Sequence, residues 1–254
     1  TFWENRHSTV SLAPSSARSL PPGPLRGFRR WVMTEIPPAP ERAEQLAVLA
    51  AEVSDCTRCR LSENRINVVF GSGNPDADVM FVGEGPGQRE DEQGLPFVGR
   101  SGELLEQLLG EIGLARSDVY IGNVVKCRPP SNRDPRPDEI EACKGYLRTQ
   151  LQLIQPKVVV TLGNFASKLL LSTDTGITRL RGTAYEWWGR FLVPTFHPAA
   201  ALRGSARVLA EMREDFQLVQ AVIEGNLQRR SPDPSNDDSA EAADPEPEQL
   251  DLFT

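Results

Sequence analysis

The chain has 254 residues and a formal net charge of -7. That length holds one substantial core with tails, and no apolar run approaches the ~20 residues a membrane-spanning helix needs. The charge is uneven: residues 231–254 carry eight acids and no Lys or Arg, residues 1–33 carry five Arg and one acid, and residues 34–230 are near neutral with 23 basic and 26 acidic groups, so a nucleic-acid partner is not excluded by the acidic total.

In chain order, residues 1–40 are rich in Ser, Pro and Arg without helical or strand periodicity, which predicts no regular structure. Their Arg bias resembles a transit peptide; Met33 in WVMTEIPP as the natural start is the plainer reading. An ordered unit is expected over 41–228. ERAEQLAVLAAEV has helical apolar spacing and leads into Cys56-Thr-Arg-Cys59. INVVF and DVMFV are short β-branched runs and predict strands. SGELLEQLLGEIG predicts a helix with Ser101 as cap and Gly113 as stop. VYIGNVV, KVVVTLG and RFLVPTF predict further strands, RPDEIEACKGYLRTQLQLIQP, NFASKLLL and residues 206–225 predict helices, and HPAAALR predicts a loop after the last strand. Strand–helix alternation implies an α/β fold, a three-layer α/β/α sandwich with a central, mainly parallel sheet. Residues 229–254 predict a disordered acidic tail that finishes on an apolar cluster, EQLDLF, the form of a docking peptide.

Ligands of such sheets bind beyond the carboxyl ends of the strands. Three polar features stand there: the loop GEGPGQRED after DVMFV, Asn123 within VYIGNVVK, and His197 after LVPTF. The loop is neither a P-loop nor a dinucleotide fingerprint, because it has no Lys and Gln88 stands where a third Gly is required. It reads either as a tight turn with solvated acids or as a wall where backbone presses on a ligand and a carboxylate orients water. Carboxylates repel phosphate, so the second reading points to chemistry at an uncharged or cationic centre. His197 reads as structural or as a donor to a leaving group. Cys56, Cys59, Cys127 and Cys143, in a chain with no mark of secretion, favour a metal over disulfides; zinc, an iron–sulfur cluster and buried free thiols remain open.

Taken together, GEGPGQREDEQGLPFVGRSGELL, VYIGNVVKCRPPSNRDPRPDE and FHPAAALR resemble the family 4 uracil-DNA glycosylases, a bacterial and archaeal branch, over about Leu46 to Ile223. The resemblance implies hydrolysis of the N-glycosidic bond of deoxyuridine in single- or double-stranded DNA by a monomeric cytoplasmic enzyme. It implies a 4Fe–4S cluster held by Cys56, Cys59, Cys127 and Cys143. It also implies Phe97 stacking on the flipped base, Asn123 reading its Watson–Crick edge and His197 stabilising the departing anion. Glu84 and Gly85 would line the wall where water attacks, with Glu90 close to the base and Glu84 favoured over Glu90 as the water's partner. Leu202 and Arg203 would probe the minor groove. Arg100, Lys126, Arg128 and Arg203 would meet phosphates. RPPSNRDPRPDE has no His, which implies turnover and no covalent trap. The terminal Gln249, Leu250, Leu252 and Phe253 resemble a sliding-clamp-binding peptide. The alternative is a non-catalytic iron–sulfur or zinc DNA-binding module.

Overall fold

The computed structural model describes residues 9–11, 38–204 and 206–226. In chain order its elements are β1 (Thr9–Ser11), α1 (Ala39–Ser54), β2 (Ser72–Gly73), β3 (Val79–Gly83), α2 (Gln88–Gln93), α3 (Arg100–Glu111), β4 (Tyr120–Asn123), α4 (Pro137–Ile154), β5 (Val158–Leu162), α5 (Asn164–Leu171), α6 (Ile177–Leu180), β6 (Thr183–Trp187), β7 (Arg190–Thr195), α7 (Pro198–Leu202) and α8 (Ala206–Ile223).

The strands form one sheet in the order β1-β6-β7-β5-β3-β4-β2. Its centre, β7-β5-β3-β4, is parallel, and β6, β1 and β2 join antiparallel at the two sides. Alternation along a strand sends neighbouring side chains to opposite faces. Thus Met80, Val82 and Val159 join one buried layer with Leu46, Leu147, Leu151 and Leu170 from α1, α4 and α5. Val79, Phe81, Ile121 and Val160 join the other with Leu105, Leu108 and Leu109 of α3 and Met212, Phe216 and Val219 of α8. Burial on both faces is why the central strands read as unbroken apolar runs. The α/β/α sandwich expected from the alternation is what the chain adopts.

Several local expectations need correction. INVVF, residues 66–70, forms no strand: the amides of Ile66 and Asn67 are taken by the buried carboxylate of Asp91, at 3.0 and 3.3 Å, and Val69 N–H makes a single ladder-like bond to Lys126 O at 2.8 Å. Ser101 does not cap α3; Gly99 holds the cap position. Thr9–Ser11 lie in the stretch expected to lack regular structure, yet they pair with Thr183–Tyr185 and cover the outer edge of β6. The sequence reading also missed β6. It turns into β7 through Trp188 and Gly189, both with positive φ (55° and 74°), a two-residue hairpin whose first position lacks the usual Asn or Asp. The tail from residue 227, with its apolar tip, lies outside the described residues.

One polar anchor steadies the end of β7. Buried Asp215 of α8 accepts Thr195 Oγ1 at 2.7 Å, Arg181 Nε at 3.0 Å and Gly182 N–H at 2.9 Å. Thr195 is two residues before His197, so this anchor fixes where the chain leaves the sheet.

Candidate active site

The parallel register sets Gly83, the last residue of β3, beside Asn123, the last of β4. Glycine at 83 lets the two side chains stand close: a Cβ there would lie 2.4 Å from Asn123 Oδ1 and 2.9 Å from Phe97 Cζ. Gly163, just beyond β5, has φ 98° and faces His197, whose Cβ would stand 3.1 Å from an added Cβ. The rings of Phe97 and His197 are 5.6 Å apart, tilted by 30°. Phe97, Asn123 and His197, three segments apart in sequence, thus meet at the carboxyl edge of the sheet over a floor of glycines.

Asn123 is 1% exposed, and its Oδ1 has no hydrogen-bond partner among the described residues. Leaving such an atom unpaired costs about 1–3 kcal/mol, which a ligand donor recovers. The backbone beneath it is held firmly. Lys126 Nζ donates to Asn123 O at 2.9 Å and to Gln150 Oε1 at 2.6 Å, and Gln150 Nε2 donates to Phe70 O and Tyr120 Oη at 2.9 and 3.1 Å. Lys126 was expected to meet phosphate; it is 1% exposed and serves this interior network. Burial pushes its ammonium down to about 8.

His197 Nδ1 accepts the Ala199 N–H at 3.1 Å, which fixes the neutral tautomer with its proton on Nε2. Burial first, then the positive charge of Arg203, pushes the imidazole down to about 4, against an opposing pull from Glu90. The ring is therefore a neutral donor across the physiological range.

The acidic residues of the glycine loop separate by environment. Glu90 Oε1 accepts Val98 N–H at 3.1 Å and Gly99 N–H at 3.4 Å, so it braces the turn carrying Phe97. Asp91 is committed to Ile66 and Asn67, and Glu92 accepts Gln88 Nε2 at 2.9 Å on the surface. Glu84 is the one raised strongly, to about 7, by burial first and then by the charge and hydrogen bond of Asp134. Asp134 went unnoticed in the sequence, since no spacing ties it to Glu84. It rides on a loop fixed by Arg133, which grips the wholly buried carboxylate of Glu139 at 2.6 and 2.8 Å. At Gly85 an added Cβ would sit 2.8 Å from Val125 Cγ2, so the backbone there has no room for a side chain without displacing Val125.

Phe97 has φ 52°, a left-handed conformation that costs a non-glycine residue about 1–2 kcal/mol. Leu202 is half-buried against the layer formed with α3 and α8, and Arg203 is exposed at the end of α7.

Uracil DNA glycosylase superfamily is the family whose model matches this chain, over residues 70–220. The chain belongs to that superfamily. Within it, the type-4 uracil-DNA glycosylase of Thermotoga maritima is 45% identical over 185 residues, which is 72% of this chain and 96% of that protein. The type-4 enzymes of Sulfurisphaera tokodaii and Saccharolobus solfataricus are 45% and 43% identical, over 70% and 71% of this chain and 84% and 87% of theirs. These matches place the chain in the type-4 branch of the uracil-DNA glycosylases. Among the described residues no helix is long and apolar enough to cross a membrane.

The cofactor expectation does not stand. Among the described residues no group of three or more His, Cys, Asp or Glu side chains could hold a metal ion. Cys56, Cys59, Cys127 and Cys143 are free thiols, and the residues present do not fit the 4Fe–4S cluster or a zinc in its place. Their sulfurs are engaged otherwise: Cys127 Sγ accepts Arg65 Nη1 at 3.5 Å and Cys143 Sγ accepts the Lys126 N–H at 3.3 Å. Burial raises the thiols of Cys59, Cys127 and Cys143, the last to about 11, while at Cys56 burial is outweighed by hydrogen bonds with Tyr146 and Arg58, which lower the thiol. The CxxC and the two later cysteines pack instead into the layer with α1 and α4.

Proposed function

We propose that the chain is a monofunctional uracil-DNA glycosylase acting through the pocket of Phe97, Asn123, His197 and Glu84. Type-4 membership supplies the reaction class. The observation that carries the assignment of residues is the buried Asn123 amide, unpartnered at Oδ1, beside an aromatic face and a neutral imidazole donor.

A base inside a duplex is out of reach, so the nucleotide leaves the stack at a cost of a few kcal/mol that pocket contacts offset. Phe97 then supplies the stacking face. The Asn123 amide pairs as acceptor with uracil N3–H and as donor with O4; cytosine reverses both requirements and is refused. The C1′–N1 bond breaks, and its electron pair leaves with the base. His197 Nε2–H donates to uracil O2, where that charge collects. The oxygen of a water adds to C1′, and its proton passes to Glu84, leaving an abasic sugar and a uracil anion that takes up a proton at N1 on release, while Glu84 returns its proton to solvent. Glu90 holds the Phe97 turn, and Asp134 sets the basicity of Glu84. Arg203, with Arg100 and Arg128, meets phosphates.

The test is base release from a uracil-containing oligonucleotide, read as alkali-labile sites. Wild-type protein makes it alkali-labile; Asn123→Ala and His197→Ala do not do so at comparable rates. An intact oligonucleotide with folded wild-type protein would overturn the assignment. The family resemblance supports a cytoplasmic monomer working on chromosomal DNA. Its terminal Gln249, Leu250, Leu252 and Phe253 are assigned to the replication sliding clamp, an apolar plug on an acidic strap. Deleting residues 249–254 abolishes clamp binding and leaves cleavage of short oligonucleotides unchanged; clamp binding that survives the deletion refutes the docking role.

A further inference from the structure

The left-handed φ of Phe97, 52°, is not a conformation that phenylalanine selects, so surrounding groups must impose it. Gly102 in the first turn of α3 receives the Phe97 carbonyl so closely that a Cβ there would lie 1.8 Å from the oxygen. Glu90 takes the two amides that follow, those of Val98 and Gly99. The third group is Arg116, in the short 3-10 turn before β4. Its Nη1 donates to Phe97 O at 3.0 Å and its Nη2 to Pro96 O. Glu106 of α3 accepts the same Nη1 at 3.2 Å and keeps the guanidinium turned toward the loop.

We propose that Arg116 is a positioning residue for base recognition: by holding the successive carbonyls of Pro96 and Phe97, it fixes the turn that stands the Phe97 ring beside His197. Two carbonyls presented side by side match the planar fork of a guanidinium; an ammonium reaches one of them. With the fork in place the ring is held before the base arrives, and no ordering of the loop is left for the moment of binding. The Arg116 guanidinium is committed to Pro96 O, Phe97 O and Glu106, so it acts through Phe97. The inference rests on the stacking role given to Phe97 above.

The experiment is a double-mutant cycle on a uracil-containing single-stranded oligonucleotide, with Arg116→Met, Phe97→Ala and the pair, each checked for a cooperative thermal transition. Arg116→Met is expected to lower kcat about tenfold with KM within about twofold, because its guanidinium is committed to Pro96 O, Phe97 O and Glu106. Arg116→Lys, which keeps the charge near Glu106, is expected to recover part of that loss and serves if the methionine variant does not fold. In the Phe97→Ala background the Arg116 substitutions should change kcat by less than about twofold. Full additivity in that background, or wild-type kcat in both Arg116 variants, overturns the positioning role. A Phe97→Ala enzyme with wild-type kcat and KM instead overturns the stacking assignment itself.

Discussion

The Phe97 ring stands 5.6 Å from the His197 ring, and the Nδ1 of that histidine is already occupied by the Ala199 N–H. The pairing leaves Nε2 as the proton-bearing atom at the edge of the proposed base slot. A neutral donor placed where negative charge develops contributes more to the transition state than to the ground state. His197→Ala is therefore expected to lower kcat about 10²–10³-fold with little change in KM. Single-turnover kinetics at saturating enzyme measure this; a loss confined to KM would sink the anion-stabilising role.

The same residue makes a stability prediction. The imidazole titrates near 4 in the fold, below the ordinary 6.5, so between these values the unfolded chain binds more protons than the native one. The contribution is fully present above about pH 6.5 and is lost as pH falls toward 4. His197→Gln, which has no imidazole to charge, should lose less stability than wild type between pH 7 and 4.5 in urea unfolding. Equal losses would show that His197 titrates normally.

On the proposed mechanism, Glu84 sets the pH dependence of the chemistry. Its carboxyl is held up to about 7 by burial and then by Asp134, so the base form accumulates only above that pH. The kcat/KM profile should rise to a plateau with an inflection near 7 and keep it in His197→Gln. Asp134→Asn removes the charge that opposes ionisation and should move the inflection downward. Glu84→Gln should lose both the inflection and most of the rate. Since the shift favours the protonated native state, Glu84→Gln should also melt higher than wild type above pH 7. An inflection unmoved in Asp134→Asn would remove Asp134 from the account.

Gly83 tests the shape of the pocket. Alanine there puts a methyl 2.4 Å from Asn123 Oδ1 and 2.9 Å from Phe97 Cζ, both at the far ends of side chains that can swing away. The fold should therefore survive while the base-reading amide is displaced. Gly83→Ala is expected to cut kcat/KM about 100-fold or more with a small fall in Tm. A large fall in Tm with near-normal activity per folded molecule would contradict this geometry.

The central sheet was readable because β3, β5 and β7 are buried on both faces and so spell continuous Val, Leu and Phe runs. Asn123 and His197 were readable because both stand at strand ends, where topology alone gathers polar residues. Three things were not. Residues 66–70 have a strand's composition, but Asp91, distant in sequence, takes two of their amides. Asp134 and Arg116 act through contacts with Glu84 and Phe97 that have no sequence period. The four cysteines suggested a metal by count and spacing, whereas their environments are those of free thiols engaged with Arg65, the Lys126 amide and the apolar layer.

Lys126 and Arg203 differ in exposure, and the proposed function gives only Arg203 to DNA. Both are cations beside the pocket, but Lys126 is 1% exposed and engaged by Asn123 O and Gln150, while Arg203 is exposed at the end of α7. A side chain that neutralises a phosphate releases counterions and steepens the salt dependence of binding. Arg203→Gln should weaken binding to uracil-containing and uracil-free duplexes alike and reduce the slope of log K against log salt by about 1. Lys126→Met should leave that slope unchanged, and its loss should appear in kcat, because the Asn123 carbonyl is no longer held. Fluorescence anisotropy across 50–300 mM salt, roughly the range where such slopes are read, distinguishes the two. A reduced slope in Lys126→Met would mean that the lysine reaches DNA after all.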